Sequence, residues 1–316
     1  MKRALVLSGG GSKGAFQYGA LRYLFDHEMQ GEPPAHYFNI ISGVSVGALN
    51  GVMLAQNHFT ELTQLWENIT TNDIYKGNLH IIRIFWRLLT HKLGVMNNKP
   101  LQDLIYKNIS LKEVDQVHCD FMFGSVSLDS GLYYTFHTHD FDDEDQFRHG
   151  ILASSSMPVI WPPVKEIRNK EGIPFRQLVD GGIRNVSPLG DVIDFNPDEV
   201  VIINCNALDF KPYPDPAKNM IKIAARALTE ITINQIFRQD IREFLHINDI
   251  IRQLPEGVSI KKADGTFFKK YKSILIEPSH DLGDALDFSR YKIDSHIQDG
   301  YEAAKKVYQS SFEQKT

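Results

Sequence analysis

Short apolar runs and helical repeats alternate along the first part of the chain. Residues 3–8, RALVLS, form an apolar run that ends at glycines and is typical of a buried parallel strand. Residues 15–27 place apolar side chains at helical spacing, and residues 36–42 form a second strand candidate. A further helical pattern follows Ser45 and extends to Ile69. This alternation predicts a mostly parallel sheet covered by helices.

The later patterns predict more strands and helices. Residues 121–138 are typical of a hairpin that turns at Asp129, Ser130 and Gly131. Strands are predicted at 175–179, 200–208 and 271–278, and helices at 220–254 and 291–309. Because no repeat or low-complexity linker divides the chain, we expect one domain over 1–316. Its motifs lie in about 3–190, and a C-terminal extension over 210–316 packs on them.

Composition and charge narrow the class of protein. The 316 residues are 42% hydrophobic, which is ample for a large core, and the formal net charge of −5 gives no case for a nucleic-acid partner. Cys119 and Cys205 are far apart and predict neither a disulfide framework nor a zinc site. We find no secretory signal and no apolar run of about 18 residues, so we expect a cytoplasmic protein without a transmembrane segment.

A glycine-rich loop, GGGSKG, follows the first strand at residues 9–14. It matches the dinucleotide pattern G-x-G-x-x-G, but the second strand ends in Ser42 and Gly43 instead of the acidic residue that would bind a ribose. The P-loop pattern fails because Lys13 is followed by Gly14. Two interpretations stay open, an oxyanion hole at a helix N-terminus and a tight turn without a ligand.

Ser45 lies between Gly43 and Gly47 in the sequence GVSVG, after an apolar run and before a helical pattern. G-x-S-x-G at a strand-to-helix turn is the nucleophile elbow, which exposes the serine hydroxyl above the sheet. The following helix would favour an oxyanion with its positive end. A purely structural role is the alternative. An ordinary α/β-hydrolase fits poorly, because only one strand, the loop and one helix precede the elbow strand.

A candidate base follows the strand predicted at 175–179, where Asp180 precedes Gly181 and Gly182. A carboxylate at the carboxyl end of a strand is well placed to face the elbow of another strand. The alternative is an ordinary turn, since Asp-Gly is a strong turn signal.

Together, GGGSKG, GVSVG and DGG resemble the patatin-like phospholipases in their order and approximate spacing. Residues 153–164, ASSSMPVIWPPV, are similar to the segment ahead of the Asp motif in that family. The resemblance covers about residues 3–190. It implies a three-layer α/β/α patatin-like fold with a mostly parallel central sheet, and a serine acyl hydrolase with a Ser–Asp dyad.

Carried over to this chain, the resemblance implies that Ser45 is the nucleophile and Asp180 the base. The implied oxyanion loop consists of Gly9, Gly10, Gly11, Ser12, Lys13 and Gly14. The implied supporting glycines are Gly43, Gly47, Gly181 and Gly182. Lys13 would hold the loop or bind an anionic head group. No metal or organic cofactor is implied.

The implied activity is hydrolysis of lipid acyl esters, of the phospholipase A or lysophospholipase type, at a membrane or micelle surface. No protein partner is indicated. The alternatives are a carboxylesterase or thioesterase of the same fold and, from another class, a lipid- or dinucleotide-binding protein without catalysis. A Ser–Asp–His triad is a further alternative, for which His280 is the candidate on chain order.

One apolar stretch, residues 78–95, combines a wide apolar helical face with the basic residues Arg83, Arg87, His91 and Lys92. It predicts either an interfacial flap that opens on lipid or a helix packed on the core.

Overall fold

A computed structural model of the chain describes residues 1–77, 93–208, 216–218, 223, 226–262 and 265–313. The strands are β1 (Arg3–Leu7), β2 (Ile40–Gly43), β3 (Asp120–Ser127), β4 (Tyr133–His137), β5 (Val164–Arg168), β6 (Pro174–Asp180), β7 (Glu199–Ile203) and β8 (Lys272–Ile276). The α-helices are α1 (Gly14–Tyr23), α2 (Pro34–Tyr37), α3 (Val46–Ala55), α4 (Phe59–Asn68), α5 (Thr71–Ile74), α6 (Lys99–Asn108), α7 (Leu111–Asp115), α8 (Glu144–Ser154), α9 (Leu189–Ile193), α10 (Thr232–Arg252) and α11 (Arg290–Glu313).

In the described part of the chain these strands form one eight-stranded sheet, in the order β5-β6-β3-β2-β1-β7-β8, with β4 also paired to β3. The five strands β3, β2, β1, β7 and β8 are parallel to their neighbours in this order. The strands β4, β5 and β6 are antiparallel to their neighbours. The prediction of a mostly parallel sheet flanked by helices is therefore confirmed.

Both faces of β1, β2, β3 and β7 are buried, whereas most residues of β8 at the edge are half-buried. A parallel strand that is buried on both faces needs apolar side chains on both, which is why β1 and β7 read as continuous apolar runs. Successive side chains of a strand point to opposite faces, so Leu5 and Leu7 belong to one apolar cluster and Ala4 and Val6 to the other. Helices α1, α3, α8 and α11 cover the first face, and α9 and α10 cover the second. The result is a three-layer α/β/α arrangement.

Strand β3 brings the two candidate catalytic segments together. Gly43, at the end of β2, pairs with Phe123, while Asp180, at the end of β6, pairs with Ser125. These two partners are only two positions apart in β3, which corresponds to about 7 Å along a strand. The turn that follows β2 and the turn that follows β6 therefore leave the sheet close to each other.

The structure differs from the predicted elements at two places near the N-terminus. The strand predicted at 36–42 begins only at Ile40, because Pro34 starts a short helix ahead of it, a position that proline favours. The helix predicted over 46–69 is divided into α3 and α4. Asn57 has a φ of 60° at the break, a conformation that asparagine tolerates better than most residues.

The C-terminal elements complete both the sheet and one helical layer. Strand β8 pairs in parallel with β7, and α11 packs along α1. The backbones of these two helices approach closely, since a Cβ at Gly300 would lie 1.9 Å from the Phe16 carbonyl oxygen. The single-domain organisation over 1–316 stays a proposal that this packing supports.

Candidate active site

Ser45 occupies a sharp turn between β2 and α3. Its φ of 58° and ψ of −127° lie in a region that side chains rarely adopt, so the turn stores strain at this residue. A Cβ at Gly43 would lie 2.3 Å from the Gly47 carbonyl oxygen, and one at Gly47 would lie 2.2 Å from that of Leu7. A side chain at either position would therefore collide with the neighbouring backbone, so both residues must be glycine. The strand–turn–helix geometry predicted from GVSVG is present.

Asp180 is the last residue of β6 and is only 6% exposed. Its Oδ1 atom accepts a hydrogen bond from the Gly182 N–H at 2.8 Å. Burial raises the pKa of Asp180 to about 6, while interactions with the Ser45 hydroxyl and the Gly182 N–H oppose that shift. The turn thus places an unusually basic carboxylate beside the strained serine.

Three consecutive buried serines at the end of α8 connect the two candidate residues. The Ser45 N–H donates to the Ser154 hydroxyl at 3.1 Å, and the Ser155 hydroxyl lies 3.4 Å from the Ser45 carbonyl oxygen. The Asp180 N–H donates to the Ser156 carbonyl oxygen at 2.9 Å. Sequence reasoning quoted this segment without giving its serines a role. The run of three adjacent serines was the available signal.

The glycine-rich loop lies next to Ser45, since a Cβ at Gly9 would be 3.4 Å from the Cβ of Ser45. Most of its N–H groups already have backbone acceptors, namely those of Gly9, Ser12, Lys13 and Gly14. The N–H groups of Gly10 and Gly11 have no acceptor among the residues that the structure describes. The loop therefore leaves two adjacent donors available for a ligand oxygen.

Lys13 is held by neighbours from the C-terminal half of the chain. Its ammonium group donates to the Asn206 side-chain oxygen at 2.8 Å and lies 3.8 Å from an Asp281 carboxylate oxygen. The side chain is only 12% exposed. Of the two roles considered for Lys13, this geometry favours holding the loop over binding an anionic head group.

An apolar cavity opens beside Ser45. It encloses about 860 Å³, including its opening to solvent. Gly11, Ser45, Val46, Asn50, Asn108 and Ser155 contribute to its lining. The remaining lining residues are all apolar: Leu49, Met53, Leu62, Leu65, Trp66, Ile69, Ile74, Leu101, Leu104, Ile105, Ile109, Met157, Trp161, Leu286 and Phe288. The cavity suits a hydrocarbon chain and offers almost nothing to a polar ligand.

The candidate triad histidine, His280, is not in contact with Ser45 or Asp180. His280 is half exposed, and its Nε2 atom lies 3.5 Å from an Asp299 carboxylate oxygen. Within the described ranges, no histidine makes a hydrogen bond or an ion pair with Ser45 or Asp180.

The apolar stretch over 78–95 falls almost entirely outside the described residues, which resume at Leu93. The choice between an interfacial flap and a core helix therefore stays a prediction. Among the helices that the structure describes, none is long and apolar enough to cross a membrane.

Comparison with known proteins assigns the chain to a family. No curated protein sequence gives a significant match to the chain. Two solved structures are similar to it, each at 12% sequence identity over 98% of this chain. VipD from Legionella pneumophila has a TM-score of 0.45 with 67% of its chain covered, and the type III effector protein ExoU has 0.42 with 52% covered. The sequence model of the patatin-like phospholipases matches residues 5–193, more than half of the chain, and this chain therefore belongs to the patatin-like phospholipase family.

Proposed function

We propose that the chain hydrolyses lipid acyl esters, as a phospholipase A or lysophospholipase, through a Ser45–Asp180 dyad. Membership of the patatin-like phospholipase family supports lipid hydrolysis as the class of activity. The observation that carries the finer proposal is that the strained Ser45, beside the buried Asp180, opens directly into an apolar cavity.

The dyad accounts for each proton of the reaction. The Ser45 Oγ attacks the ester carbonyl carbon while Asp180 accepts the hydroxyl proton, which forms a tetrahedral intermediate. Asp180 then returns the proton to the leaving alcohol oxygen, and the acyl group stays on Ser45. A water molecule, deprotonated by Asp180, attacks the acyl-enzyme. The fatty acid leaves, and Ser45 regains its proton.

The negative oxygen of the intermediate needs donors that are free before the reaction, because preorganised donors stabilise it without further rearrangement. The N–H groups of Gly10 and Gly11 meet this condition in the described part of the chain. The Val46 N–H is the first of α3, so it has no partner within the helix. We therefore propose that the oxyanion hole consists of the N–H groups of Gly10, Gly11 and Val46, and not of the whole glycine-rich loop.

The lining of the cavity also bears on the alternative functions. A dinucleotide would need polar and acidic partners, which the apolar walls do not provide. A carboxylesterase or thioesterase would use the same dyad and the same cavity, and differs only in the group that leaves. The acyl part of the substrate is therefore better supported than its head group.

We also propose that the chain acts as a peripheral enzyme at a lipid surface. Two apolar side chains near the cavity are strongly exposed, Val159 at 72% and Leu93 at 56%. They lie on adjacent segments, joined by the bond from the Val95 N–H to the Val159 carbonyl oxygen. Val159 has a φ of 70°, which is costly for a β-branched residue. Contact with lipid would offset the exposure of both side chains.

Release of fatty acid from phospholipid and lysophospholipid micelles tests the proposed function. We expect release by the wild-type protein and a loss of several orders of magnitude in Ser45→Ala, because the nucleophile is removed. Ser130→Ala is the matched control, since Ser130 is exposed at the β3–β4 hairpin. Hydrolysis of soluble esters or acyl thioesters without any release from lipid would favour the alternative hydrolases. Unchanged release in a folded Ser45→Ala protein would refute the dyad.

A further inference from the structure

One wall of the cavity comes from a segment well beyond the residues that match the family. We call residues 281–289, between β8 and α11, the C-terminal strap. The family match ends at residue 193, yet Leu286 and Phe288 of the strap line the cavity that contains Ser45. Phe288 is 5% exposed and belongs to the apolar cluster on the same face of the sheet.

The strap is bound directly to the glycine-rich loop. The Ser12 N–H donates to the Ala285 carbonyl oxygen at 2.8 Å, and the Ser12 hydroxyl donates to that of Asp284 at 3.0 Å. A Cβ at Gly11 would lie 2.2 Å from the Ala285 carbonyl oxygen. The two backbones are therefore in contact, with no room for a side chain between them.

Further hydrogen bonds fix the strap at two more points, Leu282 and Leu286. The Tyr75 hydroxyl donates to the Leu286 carbonyl oxygen at 2.8 Å. The Nε2 atom of the buried His296 lies 2.9 Å from the Leu282 carbonyl oxygen. The strap also stabilises its own turns, because the Asp284 carboxylate accepts the Leu286 N–H at 2.9 Å. These bonds hold Leu286 and Phe288 in one position relative to Ser45.

A fixed apolar wall discriminates between chains by contact area. Each methylene that a chain buries against it strengthens binding about fourfold, and a chain that is too bulky for the space loses this contact and adds strain. The backbone groups at Ser45 treat every ester alike, so the side chains of the cavity are where acyl preference can arise.

We propose that Leu286 and Phe288 are specificity-determining residues, which select the acyl chain of the substrate by its length and bulk. The inference rests on the proposed function, since it requires an acyl group on Ser45 with its chain in the cavity. The fixed strap then acts as a ruler: the positions of these two side chains set how long an acyl chain the cavity can accept.

The test is the ratio of kcat/KM for long-chain to short-chain p-nitrophenyl esters in each variant. Both esters are measured with the same preparation, so a smaller fraction of folded protein lowers both values equally and leaves their ratio unchanged. Leu286→Trp fills the cavity, and we expect it to lower the ratio about tenfold. Leu286→Ala widens the cavity and should raise the ratio for the longest or branched chains severalfold. Leu286→Val is a milder change that keeps the test valid if the larger replacement does not fold.

Leu245 supplies the matched control. It is a half-buried leucine of α10 that packs on the apolar cluster at the other face of the sheet. Leu245→Ala and Leu245→Trp should leave the ratio unchanged, although they perturb packing in a similar way.

The outcomes separate the two proposals. If Ser45→Ala is inactive and every Leu286 variant keeps the wild-type ratio within twofold, the ruler is refuted and the dyad stands. If Ser45→Ala keeps wild-type turnover of the same esters, both proposals fall. A shift of the same size in the Leu245 variants would also refute the ruler, since the ratio would then report packing in general.

Discussion

The reactive end and the acyl end of the site are built in different ways. At the reactive end the backbone itself is constrained: a Cβ at Gly47 would reach the Leu7 carbonyl oxygen, and a Cβ at Gly11 would reach that of Ala285. At the acyl end the walls are apolar side chains from helices and loops far apart in the sequence, such as Leu62, Ile105 and Phe288. Under the proposed function, the first end determines whether the reaction occurs, and the second determines which acyl chain enters.

This difference predicts two kinds of variant. Changes at the reactive end should lower turnover of all chain lengths together, because every ester presents the same carbonyl group. Changes at the acyl end should alter the preference between chains and leave the chemistry in place. The ratio measured in the Leu286 variants tests the second kind, and the predictions below test the first, from the largest expected effect to the smallest.

The largest effect is expected from Asp180→Asn. Its side chain keeps the shape but loses the basic oxygen, so we expect kcat to fall by several orders of magnitude, nearly as far as in Ser45→Ala, for short and long esters alike. The variant should be at least as stable as the wild type above pH 6. The folded-state pKa of about 6 lies above the ordinary value of 3.8, so burial of the charged carboxylate lowers stability as the pH rises through that range. Steady-state kinetics and chemical denaturation measure the two effects.

His280→Ala is the control for the dyad, and it should keep most of the activity because His280 contacts neither dyad residue. The pH profile alone cannot separate a dyad from a triad. Asp180 must lose its proton to act as a base, so kcat/KM should rise with pH through about 6, close to where an ordinary histidine titrates. Loss of turnover in a folded His280→Ala protein, with much of it retained in Asp180→Asn, would contradict the dyad.

A smaller but clear effect is expected from Gly47→Ala. The added Cβ would collide with the carbonyl group of Leu7 in β1, which cannot move without disturbing the sheet. We expect a loss of about 2–3 kcal/mol in the free energy of unfolding, measured by urea denaturation. Gly190→Ala is the matched control, because nothing lies within 4 Å of its Cβ position and alanine favours the helix. Equal stability of the two variants would contradict the close packing at the elbow.

Among the changes expected to impair the site, Ser154→Ala should have the smallest effect. This change leaves the buried Ser45 N–H without its acceptor, which costs about 1–3 kcal/mol and loosens the elbow. We expect kcat to fall about tenfold with little change in KM. Ser156→Ala is the control, since the Ser156 hydroxyl bonds only to the Leu152 carbonyl oxygen while its own carbonyl group stays in place. A similar fall in both variants would mean that the serines affect stability and not the position of Ser45.

The same contrast explains how far the sequence predicts the structure. The reactive end consists of short motifs whose glycines mark the tight turns, so GVSVG and DGG could be placed at strand ends from the sequence alone. That two residues of β3 bring these turns together depends on strand pairing, which no local pattern contains.

The residues that line the acyl end could not be predicted from local patterns, for a related reason. Leu286 and Phe288 look like ordinary core residues in the sequence, and they lie beside Ser45 because the strap is bonded to Ser12, Tyr75 and His296. The serines at 154–156 are visible as a run, but Ser154 and Ser155 bond to Ser45, which lies more than a hundred residues away in the sequence.

Covalent labelling by a fluorophosphonate tests the central claim most directly, because the reagent reacts only with an activated serine. Intact-mass measurement and peptide mapping of the wild-type protein should show one adduct, on Ser45. Labelling should be much slower in Asp180→Asn and absent in Ser45→Ala. An adduct on another serine, or an active enzyme whose Ser45 stays unmodified, would contradict the account.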